Sequence, residues 1–199
     1  MSTRVTLVCH AATAATARAA FPLDEPPTAA GLAAAREQAR PPSARPPSGR
    51  APRALRGPEL RCAETAAALD LVGVRVEPAL RDCDHGDWAG RTLDEVSAAD
   101  PAGVAAWLAD PDAAPHGGES LASVSARAGR WLDELGRAAE HARVIAVTHP
   151  TVARAVAVHA LRAPASVFWH LDAGPLARVD LIHNGPRWAL RGFGVPDRA

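Results

Sequence analysis

The sequence predicts an α/β fold, a three-layer α/β/α sandwich in which a mixed, mostly parallel sheet of about six strands lies between helices. Three observations predict it. Two short apolar runs, VTLVC from Val5 and RVIAVT from Arg143, are bounded by turn-forming residues and read as buried strands. Helix-favouring segments alternate with these strands and with weaker ones along the chain, which places helices on both faces of a sheet. The 199 residues suffice for one domain with a full core, and they contain no internal repeat.

The elements follow in order. The first strand runs into Cys9 and His10. Ligands of open α/β sheets bind beyond the carboxyl ends of the strands, so His10 is a candidate for chemistry. Ala11 to Ala20 reads as an alanine-rich loop, and Thr28 as the N-cap of a helix over GLAAAREQAR. Residues 41–58 are rich in proline and arginine and read as a surface loop, with a short strand near Arg53 to Arg56. Leu60 to Leu71 has strong helix propensity, Gly73 ends it, and VRVEP follows as a short strand. Leu80 to Gly90 is irregular and dense in acids.

Thr92 and Glu95 form a capping box, and Asp100-Pro101 starts another short helix through Trp107. The stretch around 90–118 is expected to form a small helical cap. Pro111 to Ser120 is a turn region. Ser120 caps a long helix with apolar residues at Leu121, Val124, Ala128, Trp131, Leu132 and Leu135, the spacing of one buried face. The second clear strand ends in His149, and Pro150 suits the first turn of the next helix. Weaker strands near Leu176–Ile182 and Trp188–Phe193 close the chain, joined through a turn at Asn184-Gly185 that Pro186 lengthens.

Composition excludes several classes. The formal net charge is zero, which gives no electrostatic footprint for nucleic acid or an anionic membrane. All the basic side chains are arginine, a bias that resembles GC-rich coding and lowers the weight of any isolated arginine. No apolar run approaches the roughly 20 residues that span a bilayer, and no signal peptide is evident. Three cysteines without a disulfide-framework spacing fit a reduced, cytoplasmic protein. Monomer and homodimer both remain open.

Two buried strands each deliver a histidine at the carboxyl end, and parallel neighbours would bring His10 and His149 to one sheet edge. Arg61 sits at a helix N-terminus, where free N–H groups and the dipole favour anions. Two imidazoles, a guanidinium and a helix N-terminus describe a phosphate site. Cys9, Cys62 and Cys83 each neighbour a candidate residue and suggest zinc, but their spacings match no zinc motif, and no metal or cofactor is expected.

At these residues the sequence resembles the histidine phosphatase superfamily, which includes the cofactor-dependent phosphoglycerate mutases. VTLVCHAAT resembles its first strand and Arg-His-Gly motif, and GPELRCAETA its Ser-Pro-Leu-x-Arg-Ala-x-Gln-Thr-Ala. LRDCDHGDWAG resembles Leu-x-Glu-x-x-x-Gly-x-Trp-Glu-Gly, HGGESLASVSAR the Gly-Gly-Glu-Ser segment, and VTHPTVARAV the second histidine motif. The five pieces occur in family order. The resemblance implies a phosphoglycerate mutase-like fold and hydrolysis of a small phosphomonoester. His10 would form a phosphohistidine, and Asp82 would serve as acid and then base. Arg61 and His149 would hold the phosphoryl oxygens. A mutase fits less well, because mutases of the family usually carry a longer insertion.

The departures are specific. Cys9 stands where the family has a phosphate-gripping arginine, and a thiol supplies no cationic fork. Arg18 is a candidate substitute, and otherwise a surface arginine. Asp82 replaces a glutamate, with Asp84 and Asp87 as alternatives, and Ala11 and Pro150 replace glycines. His116 is a candidate at the pocket mouth, Glu119 a capping or pairing residue, and Trp88 an aromatic at a family position. A second function class therefore stands beside the enzyme: a member that binds a phosphate-bearing ligand or partner without turnover.

Overall fold

The computed structural model describes residues 2–39, 52–138 and 142–194. Strand β1 (Thr3–Cys9) leads to a one-turn helix α1 (Ala14–Ala17) and to α2 (Ala29–Ala39). Then come β2 (Arg53–Arg56), α3 (Leu60–Ala68) and β3 (Arg75–Val76). Two short helices, α4 (Leu93–Ala99) and α5 (Pro101–Ala109), precede the long α6 (Leu121–Arg137). The chain continues through β4 (Arg143–Thr148), α7 (Pro150–Leu161), β5 (Arg178–His183) and β6 (Trp188–Gly194).

The six strands form one sheet in the order β3-β2-β4-β1-β5-β6. The first three pairings are parallel; β5 runs antiparallel to β1, and β6 to β5. Strand alternation divides the core. Val5, Leu7 and Cys9 point to one face, where they pack with Leu132 of α6 and Val156 of α7. Val8 points to the other, against Ala35 of α2 and Cys62 and Ala66 of α3. Both faces of β1 and β4 are thus covered, as central parallel strands require. A third, smaller cluster joins Phe21 and Trp88 to Val96 of α4, with Val104 and Trp107 of α5 against it.

The expected caps form. Ser120 Oγ accepts from Ser123 N, Thr92 and Glu95 make a reciprocal capping box, and Thr28 Oγ1 accepts from Gly31 N. Two expectations differ. Ala11–Ala20 is not all loop, because Thr13 and Thr16 cap each other reciprocally and close the turn of α1. Helix α3 stops at Ala68, short of Leu71, because Asp70 turns to a positive φ of 53° before Gly73 is reached. The proline- and arginine-rich loop expected over 41–58 lies largely outside the described residues; the strand at its end is β2. No helix among the described residues is long and apolar enough to cross a membrane.

Candidate active site

The site begins with a register. Strands β1 and β4 pair in parallel with Cys9 opposite Thr148, and His10 N donates to Thr148 O at 2.8 Å. The next residue on each strand is a histidine. The rings of His10 and His149 therefore stand edge to face with centroids 5.3 Å apart. Both are almost wholly buried.

Their surroundings set them differently. His10 Nδ1 lies 2.9 Å from the carbonyl of Ala11 and donates to it. That bond fixes the tautomer and leaves the Nε2 lone pair free, and Nε2 has no partner among the described residues. Burial, and then the charge of His149, pushes His10 down to about 4. It is therefore a neutral imidazole at neutral pH, the form that can act as a nucleophile.

His149 carries the opposite charge state. Its Nε2 meets Glu59 Oε2 at 2.8 Å, and Cys62 Sγ lies 3.4 Å from the same nitrogen. Its Nδ1 is 3.2 Å from Asp82 Oδ2 but off the hydrogen-bonding direction, so that contact is electrostatic. Burial would lower this histidine; the Asp82 carboxylate overrides it and holds His149 well above its ordinary value. Gly57 makes room for the ring: a Cβ there would stand 3.0 Å from His149 Nε2 and 2.8 Å from Leu80 O.

Arg61 enters from the first turn of α3, itself buried. Its Nη2 donates to Asp82 Oδ2 at 2.7 Å and its Nη1 to Leu23 O at 2.6 Å, while its Nε is buried without a partner. An unsatisfied buried guanidinium N–H is costly and is available to an incoming oxygen. Burial would raise the Asp82 carboxyl, but the charges of His149 and then Arg61 hold it well below the usual carboxylate range. The Asp82 backbone is fixed too. Asp82 N donates to Glu59 Oε1 at 2.9 Å, and Arg127 Nη2 donates to Asp82 O at 2.8 Å. Arg127 is in turn held by two bonds of 2.8 Å to Glu119.

His10, Arg61, Asp82 and His149, expected from sequence to act together, are therefore brought together. Asp84 and Asp87 are exposed, so of the three aspartates in this loop Asp82 is the one that meets His149. Two expected binding residues are placed elsewhere. Cys9 is wholly buried in the core on the α6/α7 face, because alternation along β1 turns it away from the pocket. Burial, opposed by Arg154, pushes its thiol up to about 12. Arg18 is exposed at the end of α1, where its charge acts on Glu95. His116 is buried between Trp88 and His85, with ring centroids at 5.0 and 5.8 Å.

Sequence reasoning missed Glu59, which links His149 to the Asp82 backbone; its signal is an acid inside the GPELR motif. The structure also buries His85 within the electrostatic reach of Asp82. Of the cysteines considered for zinc, only Cys62 meets His149. Glu59, Cys62 and His149 each offer a donor atom within 4.8 Å of the others, and the Glu59 and His149 donors are already paired.

Fold and site together define an α/β protein whose two central parallel strands set two unlike histidines side by side. The chain matches the histidine phosphatase superfamily (branch 1) over residues 5–195, and it belongs to that family. It is 34% identical over 125 residues to a bifunctional protein of Mycobacterium tuberculosis, covering 62% of this chain and 34% of that one. It is 32% identical over 129 residues to phosphoserine phosphatase 1 of Hydrogenobacter thermophilus, covering 64% and 60%. The chain thus spans between about a third and three fifths of the length of these relatives. Among solved structures, mycobacterial glucosyl-3-phosphoglycerate phosphatase superposes with a TM-score of 0.80 at 27% identity, covering 98% of this chain and 100% of the other. That phosphatase has also been solved with inorganic phosphate.

Proposed function

We propose that the protein hydrolyses a small phosphomonoester through a phosphohistidine at His10. The observation that carries this reading is the state of His10: neutral, held by its Nδ1–H, with Nε2 unpartnered beside Arg61 and His149. The Nε2 lone pair attacks phosphorus and the P–O bond to the alcohol breaks. Asp82 delivers a proton to the leaving oxygen. Water then attacks phosphorus as Asp82 takes its proton, the P–N bond breaks, and phosphate departs. Arg61 and His149 hold the non-bridging oxygens throughout.

The charge balance explains how Asp82 acquires its proton. In the free protein Arg61 and His149 keep it ionised. A bound phosphate dianion draws both cations to itself and adds its own repulsion. Both effects raise the Asp82 carboxyl toward protonation. Helices α4 and α5, with Phe21 and Trp88, serve as a cap beside the site. The three buried, free cysteines support a reducing, cytoplasmic setting.

Rapid acid-free quenching with a phosphorus-labelled aryl phosphate tests the reading. Label should appear on protein, be stable to base and labile to acid, and vanish in His10→Ala. Hydrolysis that survives His10→Ala overturns it. The second reading, binding without turnover, is favoured by one observation: position 9 carries a core thiol and supplies no cation to the pocket. Phosphate binding without turnover in the native protein would establish that reading instead.

A further inference from the structure

A cavity of about 240 Å³ is walled in part by chain neighbours of the site residues and by His85, which lies within the electrostatic reach of Asp82. Its wall includes Cys83, which follows Asp82, and Thr151, two residues beyond His149. In the proposed chemistry Asp82 protonates the leaving oxygen, and the cavity walled by its neighbour Cys83 offers room for the alcohol portion of the substrate. The walls are largely apolar, with Phe21, Trp107, Phe168 and Trp169 supplying ring faces. No carboxylate lines it.

One full charge does line it, that of Arg154 on α7. Its guanidinium carbon lies 5.5 Å from the centre of the Phe168 ring, which orients the group by a cation–π contact. Among the described residues no carboxylate comes within ion-pair distance of it and no acceptor bonds it, and its Nε is buried without a partner. Asp172 acts on it only at longer range. A guanidinium stays charged under all ordinary conditions. Arg154 is half-buried, and its unpaired guanidinium is open to an anion that enters the cavity.

We propose that Arg154 is a specificity residue: the substrate is a phosphomonoester whose alcohol portion combines an apolar or ring body with a carboxylate, and Arg154 binds that carboxylate. The size sets a bound, since the cavity lies just below the usual range of about 300–1,000 Å³ for ligand pockets. A compact organic acid fits. The proposal rests on the phosphatase reading for the direction of the leaving group. It is therefore tested by binding as well as by turnover.

The probes are a pair of inert phosphonates, 4-carboxybenzylphosphonate and 4-methylbenzylphosphonate, titrated calorimetrically. The native protein should bind the carboxylate at least about 10-fold more tightly, as expected for a charge-assisted contact in an apolar site. Arg154→Gln should remove the preference while inorganic phosphate binds as before, and Arg154→Lys should keep part of it. Equal binding of the two phosphonates by the native protein overturns the proposal, whether or not any variant folds. So does an Arg154→Gln protein that loses phosphate and both phosphonates alike, for Arg154 would then grip the phosphoryl group. Carboxylate preference without any aryl phosphate hydrolysis would defeat the phosphatase reading and leave this one standing.

Discussion

The carboxyl ends of β1 and β4 deliver the same side chain to the same place, and the protein makes two different reagents of them. His10 leans on a neutral carbonyl and is kept unprotonated by burial and by its neighbour's charge. His149 has carboxylates on both nitrogens, Glu59 against one and Asp82 near the other, and stays protonated. The two rings are 5.3 Å apart. Equal burial therefore does not decide the state of a histidine; the groups each ring faces do. Each state also enforces the other, because the charge on His149 is one reason His10 carries none.

That comparison is broken most severely by removing the nucleophile. His10→Ala should cost about 10⁴-fold or more in kcat for an aryl phosphate. His149→Gln should cost less, about 10²–10³-fold, because it removes one charged donor to the phosphoryl oxygens and leaves the nucleophile in place. Equal losses would mean that the two histidines share one role. The same variant sharpens the comparison through pH. In the native protein the His10 imidazole should titrate near 4 by NMR. Without the neighbouring charge it should rise part of the way, burial still holding it below its ordinary value, and the acid limb of kcat/KM should move up with it, measured on one substrate. A His10 signal that does not move in His149→Gln would show that burial alone sets its state. The smallest effect is expected from Glu59→Gln. It leaves a hydrogen bond to His149 but removes the charge, and should reduce kcat by about 10-fold. A drop in the alkaline limb of the pH profile should accompany it, as His149 loses its proton more easily.

The two strand ends were legible because their chemistry is local. An apolar run of five or six residues followed by a histidine reads as a buried strand with a side chain at its mouth, and the pairing of Cys9 with Thr148 delivers the rest. The caps at Thr92 and Ser120 were legible for the same reason: each is satisfied within three residues. Glu59 was not. Its value depends on the loop after β2 lying alongside the end of β4, 90 residues away, with Gly57 leaving room for the ring. Position 9 misleads in a different way. Its place beside His10 suggests a pocket residue, but the pleat that turns His10 toward the site turns Cys9 into the core. Helix α1 escaped notice because alanines all round give no apolar stripe, and its capping partner is Thr16 rather than the usual glutamate or glutamine.

The bond from the His10 amide to Thr148 O has a consequence for how the protein fails. This amide makes the bond that directly follows the last pair of the ladder between two central strands, each covered on both faces. Amides in such positions exchange with solvent only when the whole domain opens. The backbone that sets the distance between the two imidazoles should therefore be among the slowest-exchanging parts of the chain. Heat or denaturant should then extinguish activity together with the global transition, and no milder stage should exist in which the sheet persists but the pair of histidines has come apart.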